Sequence, residues 1–124
     1  MLDHPGCPFC QPERVVGETE YFYIVRDAYP VNEGHLLAVL KRHEPSFLEI
    51  DRQEWDDLYH AVHRARKLLA EELQAEQFNI GVNIGVAAGQ TIPHVHIHMI
   101  PRQPGDCDNP RGGVRNVKPP LVDY

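Results

Sequence analysis

The chain contains few cysteines, no long apolar run and no surplus of basic residues. None of its apolar stretches approaches the roughly 20 residues that a membrane-spanning helix needs. Its first residues, MLDHPGCPFC, lack the basic start and apolar stretch of a secretory signal. The 12 Lys and Arg against 18 Asp and Glu leave a net charge of −6, which argues against a general binder of duplex DNA. We therefore expect a cytosolic protein with no membrane or nucleic-acid partner.

The length of 124 residues suits one domain with one modest core. The sequence contains no internal repeat, and residues 105–124 are rich in Gly and Pro. We expect a single domain over residues 1–124, in which residues 105–124 form an extended tail.

The three cysteines do not predict a disulfide framework, because a cytosolic compartment keeps thiols reduced. Cys7 and Cys10 form a C-x-x-C pair, which is open to metal binding, redox chemistry or chance. A redox role would require a thioredoxin-like βαβ context, and the pattern of the chain does not provide one. Cys107 has no evident partner and is expected to be a free thiol.

The predicted class is α+β, with a mostly antiparallel sheet and one long helix. Strand-like composition and alternation predict strands within residues 14–20, 21–28, 35–43, 77–85 and 94–102. Asp51 and Glu54 match a capping box, which predicts a helix over about residues 51–75. One apolar stripe is expected along this helix, formed by Trp55, Leu58, Tyr59, Val62, Ala65, Leu69 and Leu73. His60 and His63 are interpreted as solvated residues of the helix surface.

Three histidines alternate with apolar residues in the last strand, at positions 94, 96 and 98. Residues two apart on a strand lie roughly 6.6 Å apart, so His94 and His98 would be roughly 13 Å apart, too far to share one metal ion easily. The spacing therefore predicts a divided task, with the central His96 as nucleophile or general base. An exposed polar strand face is the alternative.

A glycine-containing loop, VAAGQTIP, precedes these histidines. Gly89 allows a ligand to approach the backbone closely, and Gln90 and Thr91 add polar donors. Asn83, near the end of the preceding strand, could supply another donor. Such donors are what an anionic phosphate requires, so the loop is a candidate phosphate site.

These segments together resemble the histidine-triad (HIT) family. HVHIHMI looks like the triad motif, and NIGVAAGQTIPHVHIHMIPR and DAYPVNEGHLLAVLKRH are similar to the active-site and upstream segments. GCPFC and NPRGGVRNVKP resemble the zinc-containing prokaryotic branch, which is diadenosine tetraphosphate hydrolase-like. The resemblance implies a five-stranded HIT-like sheet with one long helix, paired into a homodimer with a continuous sheet. It also implies a hydrolase or nucleotidyl transferase that attacks the α-phosphate of an adenosine-type nucleotide.

The resemblance also implies roles for individual residues. His96 would form a covalent nucleotidyl-histidine intermediate, His98 would contact the phosphate and assist the leaving group, and His35 would support the phosphate site. The nucleotide-binding positions would be Asp27 for the ribose and Asn83, Gly89, Gln90, Thr91 and His98 for the phosphate. Walls of the nucleotide pocket would come from Val25, Ala28 and Leu37.

The resemblance also implies the remaining ligands of a metal site. It proposes that His43 and His94 join Cys7 and Cys10 in a Cys₂His₂ site. Four protein ligands leave no open position for water, so the zinc would be structural.

Two other functions remain open from the sequence. One is a zinc-dependent hydrolase in which His94 and His96 are catalytic ligands, and the other is a non-enzymatic nucleotide-binding or adaptor protein. Arg102, Arg111 and Arg115 could contact a polyphosphate or could serve solubility alone.

Overall fold

The computed structural model describes residues 4–122. Within that range an antiparallel five-stranded sheet runs in the order β1-β2-β3-β5-β4, which confirms the α+β fold. The elements are β1 (Val15–Glu18), β2 (Phe22–Arg26), β3 (Leu36–Leu40), the helix α1 (Arg52–Leu73), β4 (Gln77–Gly81) and β5 (His96–Arg102). Three short 3₁₀ turns lie at Phe47–Glu49, Val86–Ala88 and Gly113–Arg115.

Strand β5 lies inside the sheet, between β3 and β4. It pairs with β3 so that His96 lies opposite Val39 and His98 opposite Leu37. Alternation along β5 sends Ile97 and Met99 into the core beneath α1, and Val95, just before the strand, joins them there. The histidine-bearing face is the one that α1 does not cover, and a smaller apolar cluster of Phe9, Tyr23, Val25, Leu37 and Val39 lies on that face.

The helix begins where the capping box predicts. The Asp51 carboxylate accepts a hydrogen bond from the Glu54 N–H at 2.8 Å, and the Glu54 carboxylate accepts one from the Asp51 N–H at 2.9 Å. The helix ends at Leu73, because Gln74 adopts the left-handed conformation with φ 54°. The predicted end at residue 75 was therefore two residues late.

The predicted apolar stripe of α1 is wrong in part. Ala61, Ala65 and Leu69 are buried against the sheet, but Trp55 is 53% exposed and Tyr59 is 64% exposed. A helix advances about 100° per residue, so a stripe this wide cannot face the sheet along its whole width. Trp55 and Tyr59 lie on its outer flank.

Two carboxylates occupy core-facing positions at the start of α1 instead. Glu54 is 2% exposed and pairs with Arg42, whose Nε and Nη2 donate to its carboxylate at 2.7 and 2.9 Å. Asp57 accepts hydrogen bonds from the Thr19 hydroxyl at 2.7 Å and the Tyr21 N–H at 2.8 Å. These bonds fix the first turns of the helix to β1, β2 and the end of β3.

His60 and His63 are exposed on α1, as expected. None of the helices within residues 4–122 is long and apolar enough to cross a membrane.

Candidate functional site

The central histidine of the triad lies in a cavity of about 710 Å³. His96 is 8% exposed, and its Nδ1 is 2.8 Å from the carbonyl oxygen of His94. A carbonyl oxygen only accepts hydrogen bonds, so Nδ1 carries the proton of the neutral ring. The lone pair of His96 therefore lies on Nε2, the atom available to attack an electrophile.

Hydrogen-bond partners also fix which ring nitrogen carries the proton in His35 and His98. The Val31 N–H donates to His35 Nδ1 at 3.0 Å, so the proton of neutral His35 lies on Nε2. His35 Nε2 is 2.9 Å from His98 Nδ1 and donates to it. The proton of His98 consequently lies on Nε2, where it can be donated to a ligand.

Burial keeps both rings of this pair neutral. His35 is 3% exposed, and burial lowers its pKa although the Asp27 carboxylate opposes the shift. Burial lowers the pKa of His98 to about 4, helped by His96 and His35. A neutral His98 donates through one nitrogen only, which makes the hydrogen-bond chain directional.

Asp27 lies just after β2, beside these imidazoles. Its Oδ2 is 3.4 Å from His35 Nε2 and 3.9 Å from His98 Nδ1, and its Oδ1 accepts a hydrogen bond from the Tyr29 N–H at 2.7 Å. The carboxylate is 15% exposed and lines the cavity, so it is available to a ligand as well as to the histidines.

The structure brings most of the sequence-predicted positions to the same cavity. Its lining combines apolar and polar residues, among them Val25, Asp27, Ala28, Leu37, Asn83, Gly89, Thr91, His96 and His98. Ligand cavities typically combine an apolar lining with a few polar groups in this way.

Gln90 is used differently from its neighbours. Its side chain accepts a hydrogen bond from the Gly85 N–H at 2.8 Å and donates to the carbonyls of Pro45 at 2.8 Å and Ile92 at 3.1 Å. Gly85 and Gly89 have φ of 91° and 93°, a left-handed region that favours glycine. Gln90 thus holds the shape of the loop, and its direct phosphate contact stays a prediction.

The first triad histidine faces away from the cavity. The sequence predicted His94 on the last strand with the other two, but β5 begins at His96. The Val95 N–H donates outside the sheet, to the Glu44 carbonyl at 2.8 Å, so the chain bends just before the strand. His94 Nε2 is 2.6 Å from the Leu40 carbonyl, which places its proton there and its lone pair on Nδ1.

That lone pair faces three other potential metal ligands. His94 Nδ1 is 3.3 Å from Cys7 Sγ, 3.7 Å from Cys10 Sγ and 3.3 Å from His43 Nδ1, and Cys10 Sγ is 3.3 Å from His43 Nδ1. Tetrahedral zinc would separate two nitrogens by about 3.3 Å and a sulfur from a nitrogen by about 3.5 Å. These four residues therefore fit a zinc ion without rearrangement.

The same geometry argues against a catalytic zinc on His94 and His96. Among residues 4–122, His94 groups with the two cysteines and His43, whereas His96 belongs to neither cluster of potential ligands. His96 Nδ1 is engaged by the His94 carbonyl, and the residue lines the cavity.

Two contacts of the site were not predicted from the sequence. Phe9, between the cysteines, packs edge-on against His96, with ring centroids 4.9 Å apart. His4 stacks on His43 with centroids 3.7 Å apart. Neither an alternation nor a motif signals these contacts, because both join residues more than 35 positions apart in the chain.

Arg102 joins the start of the tail to the sheet. It donates to both Asp106 oxygens at 2.8 and 2.7 Å, to Asn79 at 2.7 Å and to Cys107 Sγ at 3.2 Å. Cys107 is a free cysteine, as expected, and its sulfur accepts this hydrogen bond from Arg102. The guanidinium holds the pKa of Asp106 well below its usual range. A polyphosphate contact by Arg102, and by Arg111 and Arg115 on the tail, stays a prediction.

Comparison with known proteins follows the same segments. A family model described as "HIT domain" matches residues 9–105. An uncharacterized HIT-like protein from Methanocaldococcus jannaschii is 36% identical over 118 residues, covering 90% of this chain and 91% of that protein. An asymmetrical bis(5'-nucleosyl)-tetraphosphatase from Schizosaccharomyces pombe is 38% identical over 77 residues, covering 62% of this chain and 42% of the enzyme. The chain spans less than two thirds of the length of several such relatives.

Among solved structures, a zinc-bound histidine triad family protein from Mycobacterium smegmatis has the same fold. The TM-score is 0.74 at 30% identity, with 82% of this chain and 78% of that chain covered.

Proposed function

This chain belongs to the HIT domain family, and from that premise we propose that it is a nucleotide hydrolase that attacks the α-phosphate of an adenosine-type nucleotide. The preferred substrates are dinucleoside polyphosphates or phosphoramidates, and nucleotidyl transfer is a variant of the same chemistry. One observation carries the proposal: the hydrogen bond from His96 Nδ1 to the His94 carbonyl leaves the lone pair on Nε2, in a ring that lines a cavity large enough for a nucleotide.

The first chemical step forms a covalent intermediate on His96. Its Nε2 attacks the α-phosphorus, a P–N bond to His96 forms, and the bond from phosphorus to the leaving group breaks with its electron pair on the leaving atom. That atom is the bridging oxygen of a polyphosphate, or the nitrogen of a phosphoramidate, which also takes a proton from water. The imidazole then carries a positive charge, which its Nδ1–H shares with the His94 carbonyl. The His98 Nε2–H donates a hydrogen bond to the phosphate or to the departing oxygen.

The second step restores the histidine. Water attacks the same phosphorus, the P–N bond breaks, its electron pair returns to Nε2, and the proton of water passes to solvent. Dividing one displacement into two lowers each barrier, and a neutral imidazole is a competent nucleophile near pH 7.

Binding positions surround this centre. Asp27 holds the ribose hydroxyls, while Val25, Ala28 and Leu37 form walls for the base. Asn83, Gly89 and Thr91 contact the phosphate, together with Gln90 as the resemblance implies. The cavity contains room for a nucleotide, since ligand sites typically enclose roughly 300–1,000 Å³.

A structural zinc ion completes the proposal. Cys7, Cys10, His43 and His94 would hold it, and it would supply no catalytic chemistry because all four positions are filled by protein. The ligand distances and the zinc-bound relative support this proposal. Elemental analysis of protein purified without added metal tests it, and a folded, metal-free protein would refute it.

Substitution of the nucleophile tests the reaction. His96→Ala should abolish turnover of a panel of diadenosine polyphosphates, adenosine phosphoramidates and nucleotide sugars, while nucleotide binding stays measurable. Wild-type protein quenched during turnover should yield a nucleotidylated peptide containing His96 by mass spectrometry. His63→Ala is the matched control, because His63 is exposed on α1.

Other results would refute the mechanism. Near wild-type turnover by His96→Ala would show that His96 is not the nucleophile. Nucleotide affinity without turnover of any panel member would indicate a binding or adaptor protein.

We also propose a cytosolic homodimer. The outer flank of α1, with Trp55 and Tyr59, and the unpaired edge of β4, with Ile80 46% exposed, provide apolar surface for a second copy. Trp55→Glu should shift the protein towards monomer in analytical ultracentrifugation, whereas Arg66→Glu, on an exposed part of the same helix, should not. A wild-type monomer at all concentrations would overturn this proposal.

A further inference from the structure

The residues between the two cysteines lie against the proposed nucleophile. The rings of Phe9 and His96 have centroids 4.9 Å apart and an interplanar angle of 69°, which is an edge-on contact. Phe9 also meets His94 edge-on, with centroids 6.1 Å apart and an angle of 86°. Phe9 thus contacts one histidine of the metal cluster and one of the cavity.

Apart from the packing of Phe9 on Val25, Leu37 and Val39 and the stacking of His4 on His43, few attachments hold this segment within the described residues. Residues 4–14 belong to neither a strand nor a helix. Their backbone hydrogen bonds are short-range, such as Cys7 N–H to the His4 carbonyl at 3.0 Å, until the Arg14 carbonyl accepts from the Arg26 N–H at 3.0 Å. The side chains of Cys7 and Cys10 are what bring the segment to His94 and His43.

The His96 ring itself has one fixed hydrogen bond. Its Nδ1–H is directed at the His94 carbonyl at 2.8 Å, but one bond leaves the ring able to tilt about that contact. An aromatic edge packed on the ring restricts this motion, because displacement loses the favourable edge-to-face geometry. A fixed Nε2 direction matters because small errors in the attack geometry slow a displacement steeply.

We propose that Phe9 is a positioning residue for His96, and that metal binding by Cys7, Cys10, His43 and His94 holds Phe9 in position. The kinetic part of this inference rests on the proposed function, whereas the ring contact does not. Metal binding at a closed site would then affect the reaction rate through the orientation of His96 by the Phe9 ring, without the metal contacting substrate.

Substitution of Phe9 tests the contact with all four metal ligands intact. Phe9→Leu and Phe9→Ala should keep the zinc content of the wild type while shifting and broadening the NMR signals of the His96 ring. We expect kcat to fall roughly tenfold or more, which is about 1.4 kcal/mol at 25 °C, with a smaller change in KM. Phe47→Leu is the matched control, since Phe47 packs on Trp55, with centroids 5.4 Å apart, at the start of α1.

Metal removal tests the link in the same signals. Dialysis of the wild type against a zinc chelator should move the His96 signals and kcat in the same direction as Phe9→Ala. The same treatment of Phe9→Ala should add little further change, because the ring that transmits the effect is already missing. Non-additivity of this kind is the signature of two perturbations acting through one contact.

Several outcomes would overturn the inference. Wild-type His96 signals in Phe9→Ala would refute the claim that Phe9 positions His96. An equal effect of zinc removal on the wild type and on Phe9→Ala would refute the claim that metal binding acts through Phe9. Global unfolding on chelation, or metal-free purified protein, would also overturn the link. If no nucleotide is hydrolysed, the NMR comparison still decides the ring contact, so failure of the proposed function is separately visible.

Discussion

His35 should act on the reaction by fixing the tautomer of His98, and a pair of amide substitutions can test this. The Val31 N–H occupies His35 Nδ1 at 3.0 Å, so His35 donates from Nε2 to His98 Nδ1 at 2.9 Å. Gln can place its amide nitrogen near the position of Nε2, whereas the shorter Asn reaches only the position of Nδ1. We expect His35→Gln to keep the donor and His35→Asn to lose it.

The magnitude follows from the group left behind. Without His35, Nδ1 of His98 becomes a partly buried acceptor without a donor, which costs about 1–3 kcal/mol. The Asp27 carboxylate lies 3.9 Å from that nitrogen and would favour the other tautomer of His98, in which the proton is on Nδ1 instead of Nε2. His98 would then present a lone pair to the phosphate instead of a donor. The cost corresponds to a loss of roughly 5- to 150-fold in kcat/KM for His35→Asn.

The assay compares kcat/KM of both variants with the wild type, on the best substrate of the panel. His35→Gln should stay within a few-fold and should leave the shape of the pH profile unchanged, because the neutral His35 carries no proton to the reaction. Two-bond ¹H–¹⁵N spectra should place the His98 proton on Nε2 in the wild type and in His35→Gln. Thermal unfolding controls for stability. Equal losses in both variants would refute the tautomer argument.

Two further predictions concern stability. Arg42 lowers the pKa of Glu54, so the ionised, paired form stabilises the fold fully above the ordinary Glu pKa near 4.5. This contribution is lost as the pH falls from there through the lowered pKa of the folded state. Glu54→Gln should therefore cost about 1–2 kcal/mol in urea unfolding at pH 7 and less at pH 3; an equal cost at both would contradict this. Gly34, with φ 88°, has no room for a Cβ beside Leu69, so Gly34→Ala should cost roughly 2 kcal/mol or more. Gly85→Ala, with φ 91° but open space, should cost less, and equal thermal shifts would exclude the packing term.

Local patterns predicted the parts of this fold that local physics determines. The capping box at Asp51 is a contact between residues three apart, so its spacing is visible in the chain. The alternation of the three histidines with apolar residues agrees with the burial of Val95, Ile97 and Met99, because period two is the geometry of a strand. The buried positions of Glu54 and Asp57 were not predictable in this way. Their partners come from elsewhere in the chain, and a carboxylate in the first turns of a helix is ordinarily exposed.

The limit was similar within the site. The motif predicted three histidines with unequal tasks, but the direction of His94 depended on a bend before β5 that alternation does not encode. Gln90 is a suitable residue type for a phosphate donor, yet its side chain is hydrogen-bonded to backbone groups of Gly85 and Ile92 in its own loop and of Pro45 in a distant segment. Spacing indicates which side chains are near one another, and only the folded chain indicates which of their atoms are already engaged.

The partners of the ring nitrogens give each triad histidine its own chemistry. The Leu40 carbonyl accepts a hydrogen bond from His94 Nε2–H, so the lone pair on Nδ1 faces the cysteines and can bind a metal. The His94 carbonyl accepts a hydrogen bond from His96 Nδ1–H, so the lone pair is on Nε2 of a ring that lines the cavity. The His98 ring accepts at Nδ1 from His35 and therefore presents a donor at Nε2. Three identical side chains thus suit the three proposed roles of ligand, nucleophile and hydrogen-bond donor, because the Leu40 carbonyl, the His94 carbonyl and the buried His35 imidazole each fix a different tautomer or direction.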